Sequence, residues 1–203
     1  MFVQLVLGRH GDGDADGIRR QWERWHQELA PGAGGWLGST GGITTDGHVV
    51  LMARFDSPDA ARANAARPEQ GAWWSATEDL LEGSADFLET GDVNVQPVKD
   101  ASRSGFVQLM RARVRDRGRL EAIEAEVGPA FFELRPDFLE GYRAWLPDGS
   151  LAAVDYFNSV AEARAGEARE MPDHLTARFE EWMALLEGTG WYDLTEPWLA
   201  APG

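Results

Sequence analysis

Histidine, arginine and tryptophan are the residue types in this sequence best suited to proton transfer and charge stabilisation around a small ligand. His26 follows Trp25 in a stretch where Ile18, Trp22, Trp25 and Leu29 recur at spacings of four, three and four. That pattern is one face of an amphipathic helix and puts His26 at its aromatic edge. An imidazole there can serve as a general base near neutral pH, or can simply make one hydrogen bond at a helix edge. His10, at the end of the first apolar run, is a second candidate base. His48 lies beside a turn, and His174 follows Pro172-Asp173 and reads as solvent-exposed.

Arg54 supplies the candidate for anion stabilisation. In the run His48 to Phe55, strand alternation puts Val49, Leu51, Ala53 and Phe55 on one face and His48, Val50, Met52 and Arg54 on the other. With the second face inward, Met52 lines a pocket and Arg54 orients a phenolate or carboxylate and favours an enolate-like intermediate. The alternative is an arginine paired with a surface acid. Nine tryptophans are many for 203 residues. Trp22, Trp25, Trp36 and Trp73 are the candidates for walls around a flat apolar ligand, against the alternative of plain core.

Other chemistries find weaker support. The absence of cysteine removes disulfides, thiolate nucleophiles and cysteine-ligated metals. Asp12, Asp14, Asp16, Gly17 and Glu23 match the spacing of a calcium loop. However, a strand rather than a helix precedes them, Arg19 and Arg20 occupy loop positions, and the acids serve as well near a helix start. No metal site and no cofactor are expected. Glycines from Gly32 to Gly42 surround a hairpin strand rather than opening a helix, so they give no nucleotide signature, although Gly38 to Gly42 could form an anion nest. Glu180-Glu181 and Glu121/Glu124 read as solvated helix faces, and no serine nucleophile elbow is present.

The formal charge of −15 is spread over both halves of the chain. It disfavours nucleic acid and anionic membranes, leaving a small apolar or aromatic molecule as the expected partner. The start of the chain resembles neither a signal peptide nor a membrane span, so a cytoplasmic protein, monomer or homodimer, is expected.

These residues are carried on a repeat. Phe2-Val3-Gln4-Leu5-Val6 returns as Phe106-Val107-Gln108-Leu109-Met110; Asp46-Gly47 to Ser57 returns as Asp148-Gly149 to Ser159; Leu80-Leu81-Glu82-Gly83 returns as Leu185-Leu186-Glu187-Gly188. Order and near-constant spacing indicate a tandem duplication, with a first repeat over 1–98 and a second over 105–203. Each copy reads as strand, helix, strand, strand, helix, strand. In the first these are Phe2–Leu7, Ala15–Leu29, the hairpin Trp36–Ile43 and His48–Phe55, a helical region from a Ser57 cap to Leu81 interrupted near Pro68, and a closing strand Phe87–Val95. The second has a helix over Leu120–Leu134, a hairpin of Asp137–Trp145 and Leu151–Phe157, and a helical region over Val160–Leu186. The fold class is α+β: two tandem ferredoxin-like repeats, their four-stranded antiparallel sheets packed as an intrachain α/β barrel.

On that element order and duplication the chain resembles the dimeric α/β-barrel superfamily, which includes the antibiotic-biosynthesis monooxygenase-like proteins, and within it uncharacterised actinobacterial proteins with two copies. The resemblance implies a pocket between each sheet and its helices. It also implies activities that include oxidation of polycyclic aromatics without metal or flavin, haem degradation and small-molecule isomerisation. No family site residue is carried over to a position here. Together, residues and resemblance suggest a small-molecule binder or cofactor-independent monooxygenase for an aromatic or enolisable substrate. Its pocket would lie in copy one, with His26 or His10 as base and Arg54 stabilising the anion; the alternative is a non-catalytic ligand-binding or structural protein.

Overall fold

The computed structural model describes residues 1–202, Pro97 by its backbone alone. The first copy folds as β1 (Phe2–Arg9), α1 (Ala15–Arg24) continuing into a π-helical turn (Trp25–Leu29), β2 (Trp36–Ile43), β3 (His48–Phe55), α2 (Pro58–Ala65), α3 (Pro68–Glu78) and β4 (Asp86–Thr90). Then come β5 (Val93–Pro97), β6 (Phe106–Val114), α4 (Arg117–Leu134), β7 (Phe138–Trp145), β8 (Ser150–Phe157), α5 (Val160–Glu167), α6 (Asp173–Ala184), β9 (Leu186–Leu194) and β10 (Trp198–Ala200).

Local chemistry explains most of these boundaries. Gly47 and Gly149 turn the two hairpins at φ of 86° and 81°, a region that β-carbon sterics close to most residues. Ser57 and Ser159 cap equivalent helices by accepting the backbone N–H of Ala60 and Glu162. Pro68 forces Arg67 to an extended conformation, which divides the helical region into α2 and α3. In the second copy the corresponding region also divides, and Leu186 belongs to β9 rather than to the helix.

The strand orders are β10-β2-β3-β1-β4 and β5-β7-β8-β6-β9. Both are antiparallel in the registers that define them, and each contains the four-stranded order of a ferredoxin-like unit. Two expectations are corrected. Each sheet has five strands, not four. The single closing strand Phe87–Val95 is two strands: Gly91 and Asp92 break it, with the Thr90 hydroxyl accepting the Asp92 N–H at 3.0 Å. β4 pairs with β1, whereas β5 lies beside β7 in the other sheet; β10 likewise lies beside β2. Each added strand covers an edge that would otherwise present unpaired backbone groups.

The compact units therefore differ from the repeat bounds 1–98 and 105–203. One comprises Met1–Val93 and the chain from Glu196 onward; the other comprises Asn94–Thr195. Gly203, the expected end of the second repeat, lies outside the described residues. In the first unit Ile18 of α1 packs on Val6, Val49 and Leu51, and the opposite sheet face carries Val3, Leu5, Leu7, Val50 and Met52, also buried. In the second unit Leu120 packs on Met110, Leu151 and Ala153, with Phe106, Phe138 and Phe157 in a neighbouring cluster. Among the described residues no helix is long and apolar enough to cross a membrane.

Candidate functional site

The continuous helix expected over Ala15–Leu29 widens at Trp25 into a single π-helical turn, whose end is marked by the Ala30 N–H bonding to the Trp25 carbonyl. Such turns displace side chains from α-helical positions and recur at functional sites. Here the Trp22 carbonyl accepts the Trp25 N–H and also the imidazole of His26, with Nδ1 at 2.6 Å from that oxygen. A carbonyl can only accept, so the Nδ1 proton is fixed and neutral His26 keeps a basic lone pair on Nε2. Burial lowers the His26 pKa, and the Trp22 carbonyl opposes this only in part. His26 is therefore neutral at physiological pH.

His26 sits among indoles, with ring centroids at 3.9 Å from Trp22, 4.9 Å from Trp25 and 5.5 Å from Trp36. Its Nε2 is buried and has no protein partner. The ring borders a cavity of about 240 Å³ between the helices and the sheet, lined also by Gln4, Val6, Leu51, Phe55, Asn64, Gln70, Trp73, Trp74 and Phe87. The polar walls are held by the aromatics. Trp25 Nε1 donates to Gln70 Oε1 at 2.6 Å, Trp73 Nε1 donates to the Gln21 carbonyl at 2.8 Å, and Trp36 Nε1 donates to Ser39 Oγ at 3.0 Å. Gln70 Oε1 also accepts from Asn64 Nδ2, which leaves the Gln70 amide N–H groups as donors.

The structure brings His26, Trp22, Trp25 and Trp73 together on this cavity, with Trp36 behind them packed on Trp25 and His26. Met52 borders it between Leu51 and Ala53, but strand alternation turns its side chain to the other sheet face. Arg54 is on that other face as well. It lies against Gly38, where β2 bulges at φ 140° and where an added Cβ would stand 2.5 Å from the guanidinium and 2.9 Å from the Ala200 carbonyl. The condition under which Arg54 would meet His26, with the His48–Arg54 face toward the helices, is not fulfilled, because Val49, Leu51 and Phe55 are more apolar and take that side. His10 is remote from this lining too. It bridges Leu81 at the hairpin end, with Nδ1 2.7 Å from the Gly11 carbonyl. Gln4, Asn64, Gln70, Trp74 and Phe87 were not among the expected site residues; Trp74 was signalled only as one of the tryptophans, and Gln70 only by standing three and four positions before Trp73 and Trp74 on one helix. Among the described residues no three acidic, histidine or cysteine side chains gather as a metal site, the Asp12–Glu23 stretch included.

Comparison with known proteins gives a likeness of structure without one of sequence. No protein-family model matches the chain. No curated protein matches it either. Among solved structures, a candidate monooxygenase from Fusobacterium nucleatum superposes with a TM-score of 0.78 at 11% identity, over 100% of this chain and 94% of that one. One from Lactobacillus acidophilus gives 0.74 at 12%, over 100% and 96%. An anthrone oxidase-like protein gives 0.70 at 14%, over 99% and 94%. The shared property is the fold. At these identities the likeness spans both copies and bears out the resemblance at the level of fold.

The second unit carries its own cavity, of about 430 Å³, in the corresponding place between sheet and helices. Its chemistry differs. Arg143 of β7, 11% exposed, donates Nε to Glu124 Oε1 at 3.0 Å and Nη1 to Asp155 Oδ1 at 2.7 Å. Burial works against its charge, but Asp155 and Glu124 outweigh burial and raise its pKa. Phe131, Phe132, Phe179, Trp182 and Trp191 line the same space.

Proposed function

We propose that the first-unit cavity binds a flat, uncharged aromatic or enolisable molecule, and that His26 removes a proton from it in a cofactor-independent monooxygenation. The observation that carries this reading is a neutral imidazole with its proton held on Nδ1, on a cavity whose other lining residues are aromatic, aliphatic or uncharged polar. Indole faces supply shape selectivity for a flat ring system, and the absence of charged side chains from the lining favours a neutral ligand.

In the proposed step, Nε2 takes a proton from an activated methylene, leaving a carbanion delocalised over the rings. The Gln70 amide donors can stabilise the resulting oxyanion in place of Arg54. Dioxygen takes up the carbanion's electron pair to give a hydroperoxide once protonated. Loss of water then leaves the carbonyl, with one oxygen atom in the product and the other in water. The fold shared with candidate monooxygenases, and with a protein named as anthrone oxidase-like, supports this reaction class.

The buried and unpartnered Nε2 favours a second reading, a binder without chemistry, because that atom presents almost no accessible surface to a bound molecule. Anthrone, a tricyclic ketone with an acidic methylene, separates the two. A monooxygenase gives saturable oxygen uptake, one molecule per anthrone, and His26→Gln lowers kcat by about 10²–10⁴-fold while anthrone still quenches tryptophan fluorescence. Quenching without uptake supports the binder. No quenching overturns both readings, and undiminished turnover by His26→Gln removes the base from the mechanism.

A further inference from the structure

The two copies provide an internal control for the second cavity. β1–β3 and β6–β8 share the same register: Gln4 pairs with Ala53 and Gln108 with Asp155, while Gly41 pairs with Leu51 and Arg143 with Ala153. Asp14 and Asp116 precede the equivalent helices α1 and α4, and the fully buried Ile18 and Leu120 follow each at the same distance. Trp22 and Glu124 are thereby equivalent. Where the first unit has Trp22, Gly41 and Ala53, the second has Glu124, Arg143 and Asp155.

An ion triad in that place is not required by the fold, since the first unit builds the same element order with an indole on a glycine. Nor is it an efficient way to stabilise a core, because desolvating charges offsets most of their attraction. Its charge is unbalanced: one guanidinium serves two carboxylates. Glu124 Oε1 takes Arg143 and the Trp182 indole N–H, and Asp155 Oδ1 takes Arg143. These bonds use Oε1 of Glu124 and Oδ1 of Asp155, one oxygen of each carboxylate. The other arginines at this cavity already have carboxylates. Arg135 holds Asp137, Arg164 holds Glu167 and Asp193, and Arg178 holds Glu126 and Glu181. An anion would have to break one of these pairs, whereas a cation meets two carboxylates that share a single guanidinium, beside aromatic side chains and in a molecule of net charge −15.

We infer that the second-unit cavity is a separate binding site for an organic cation, an aromatic or alkyl ammonium whose charged group pairs with Glu124 and Asp155 and whose apolar part lies against Phe131, Phe132, Trp182 and Trp191. The site is independent of the chemistry proposed for His26.

The test uses the full chain at neutral pH with three probes of one shape: 2-naphthylmethylammonium, 2-naphthylmethanol and 2-naphthoate. Indole N–H resonances are followed by NMR. The ammonium is expected to shift Trp182 and Trp191 saturably and to bind at least about tenfold more tightly than the alcohol. Glu124→Gln and Asp155→Asn should each remove that preference, and His26→Gln should leave it intact. The inference fails if the ammonium produces no saturable shift at these two indoles, if the alcohol binds equally well, or if naphthoate binds more tightly. Because these comparisons are made on the unaltered protein, a variant that misfolds does not obscure the result.

Discussion

The two cavities occupy corresponding places in two copies of one fold, yet their polar chemistry is opposite. The first has one titratable group on its lining, an imidazole that burial keeps neutral, among tryptophans that are themselves hydrogen-bonded. The second places seven charged side chains on its lining, with a buried arginine held by two acids. The buried triad traces to three equivalent positions. Glycine at 41 lets the Trp22 indole approach the strand closely, because a Cβ there would stand 2.7 Å from Trp22 Nε1; the larger residue at 143 sends its guanidinium toward the helix instead. Duplication thus conserved the frame that makes a cavity while the residues facing it diverged, and selectivity in such a protein is set by a few inward side chains.

The largest effect expected from breaking this contrast is at Arg143. Arg143→Met leaves Glu124 and Asp155 buried without their shared cation and should cost about 3–5 kcal/mol. A triple variant carrying Glu124→Leu, Arg143→Met and Asp155→Ala, which gives the second cavity the apolar character of the first, should recover that loss or exceed it by about 1–4 kcal/mol. Urea unfolding followed by near-ultraviolet circular dichroism measures both. A triple variant less stable than Arg143→Met would show that the ion triad stabilises the unit rather than serving a ligand.

An intermediate effect is expected at the glycine. The backbone at Gly41 is ordinary strand, so Gly41→Ala tests the contact with Trp22 alone. Displacing that ring should cost about 1–3 kcal/mol, visible as a lower thermal midpoint together with a changed tryptophan emission maximum. An unchanged spectrum would mean that Trp22 does not depend on the absence of a side chain at 41.

The smallest effect concerns His26. Its folded pKa lies below the ordinary value of 6.5, so on acidification the unfolded chain takes up the proton first. The associated stability is complete above 6.5 and is lost as pH falls from there through the folded value. His26→Phe, which keeps an aromatic ring among the tryptophans, should flatten this part of the profile of melting temperature against pH. A profile that matches the unaltered protein would place the acid sensitivity elsewhere.

Local signals in the chain were sufficient for the elements and their repetition. Spacing of Ile18, Trp22, Trp25 and Leu29 marks α1, Ser57-Pro58 and Ser159 mark helix starts, and Asp46-Gly47 and Asp148-Gly149 mark hairpins, because caps, positive φ and helical periodicity depend on a few neighbouring residues. Trp22, Trp25 and His26 were legible for the same reason, being one helix edge. What lay beyond the sequence is nonlocal. The short break at Gly91-Asp92 says that a strand ends, but not that the next strand leaves for the other sheet. Alternation in β3 separates Arg54 from Leu51, but which face receives the helices is decided by the summed burial of Val6, Ile18, Val49 and Leu51 across three segments. Arg143 and Asp155 were visible only as charges inside strands. Their meeting with Glu124 depends on strand register and on how a helix lies across the sheet, and those are properties of the packed chain because only packing brings together residues that covalent order keeps apart.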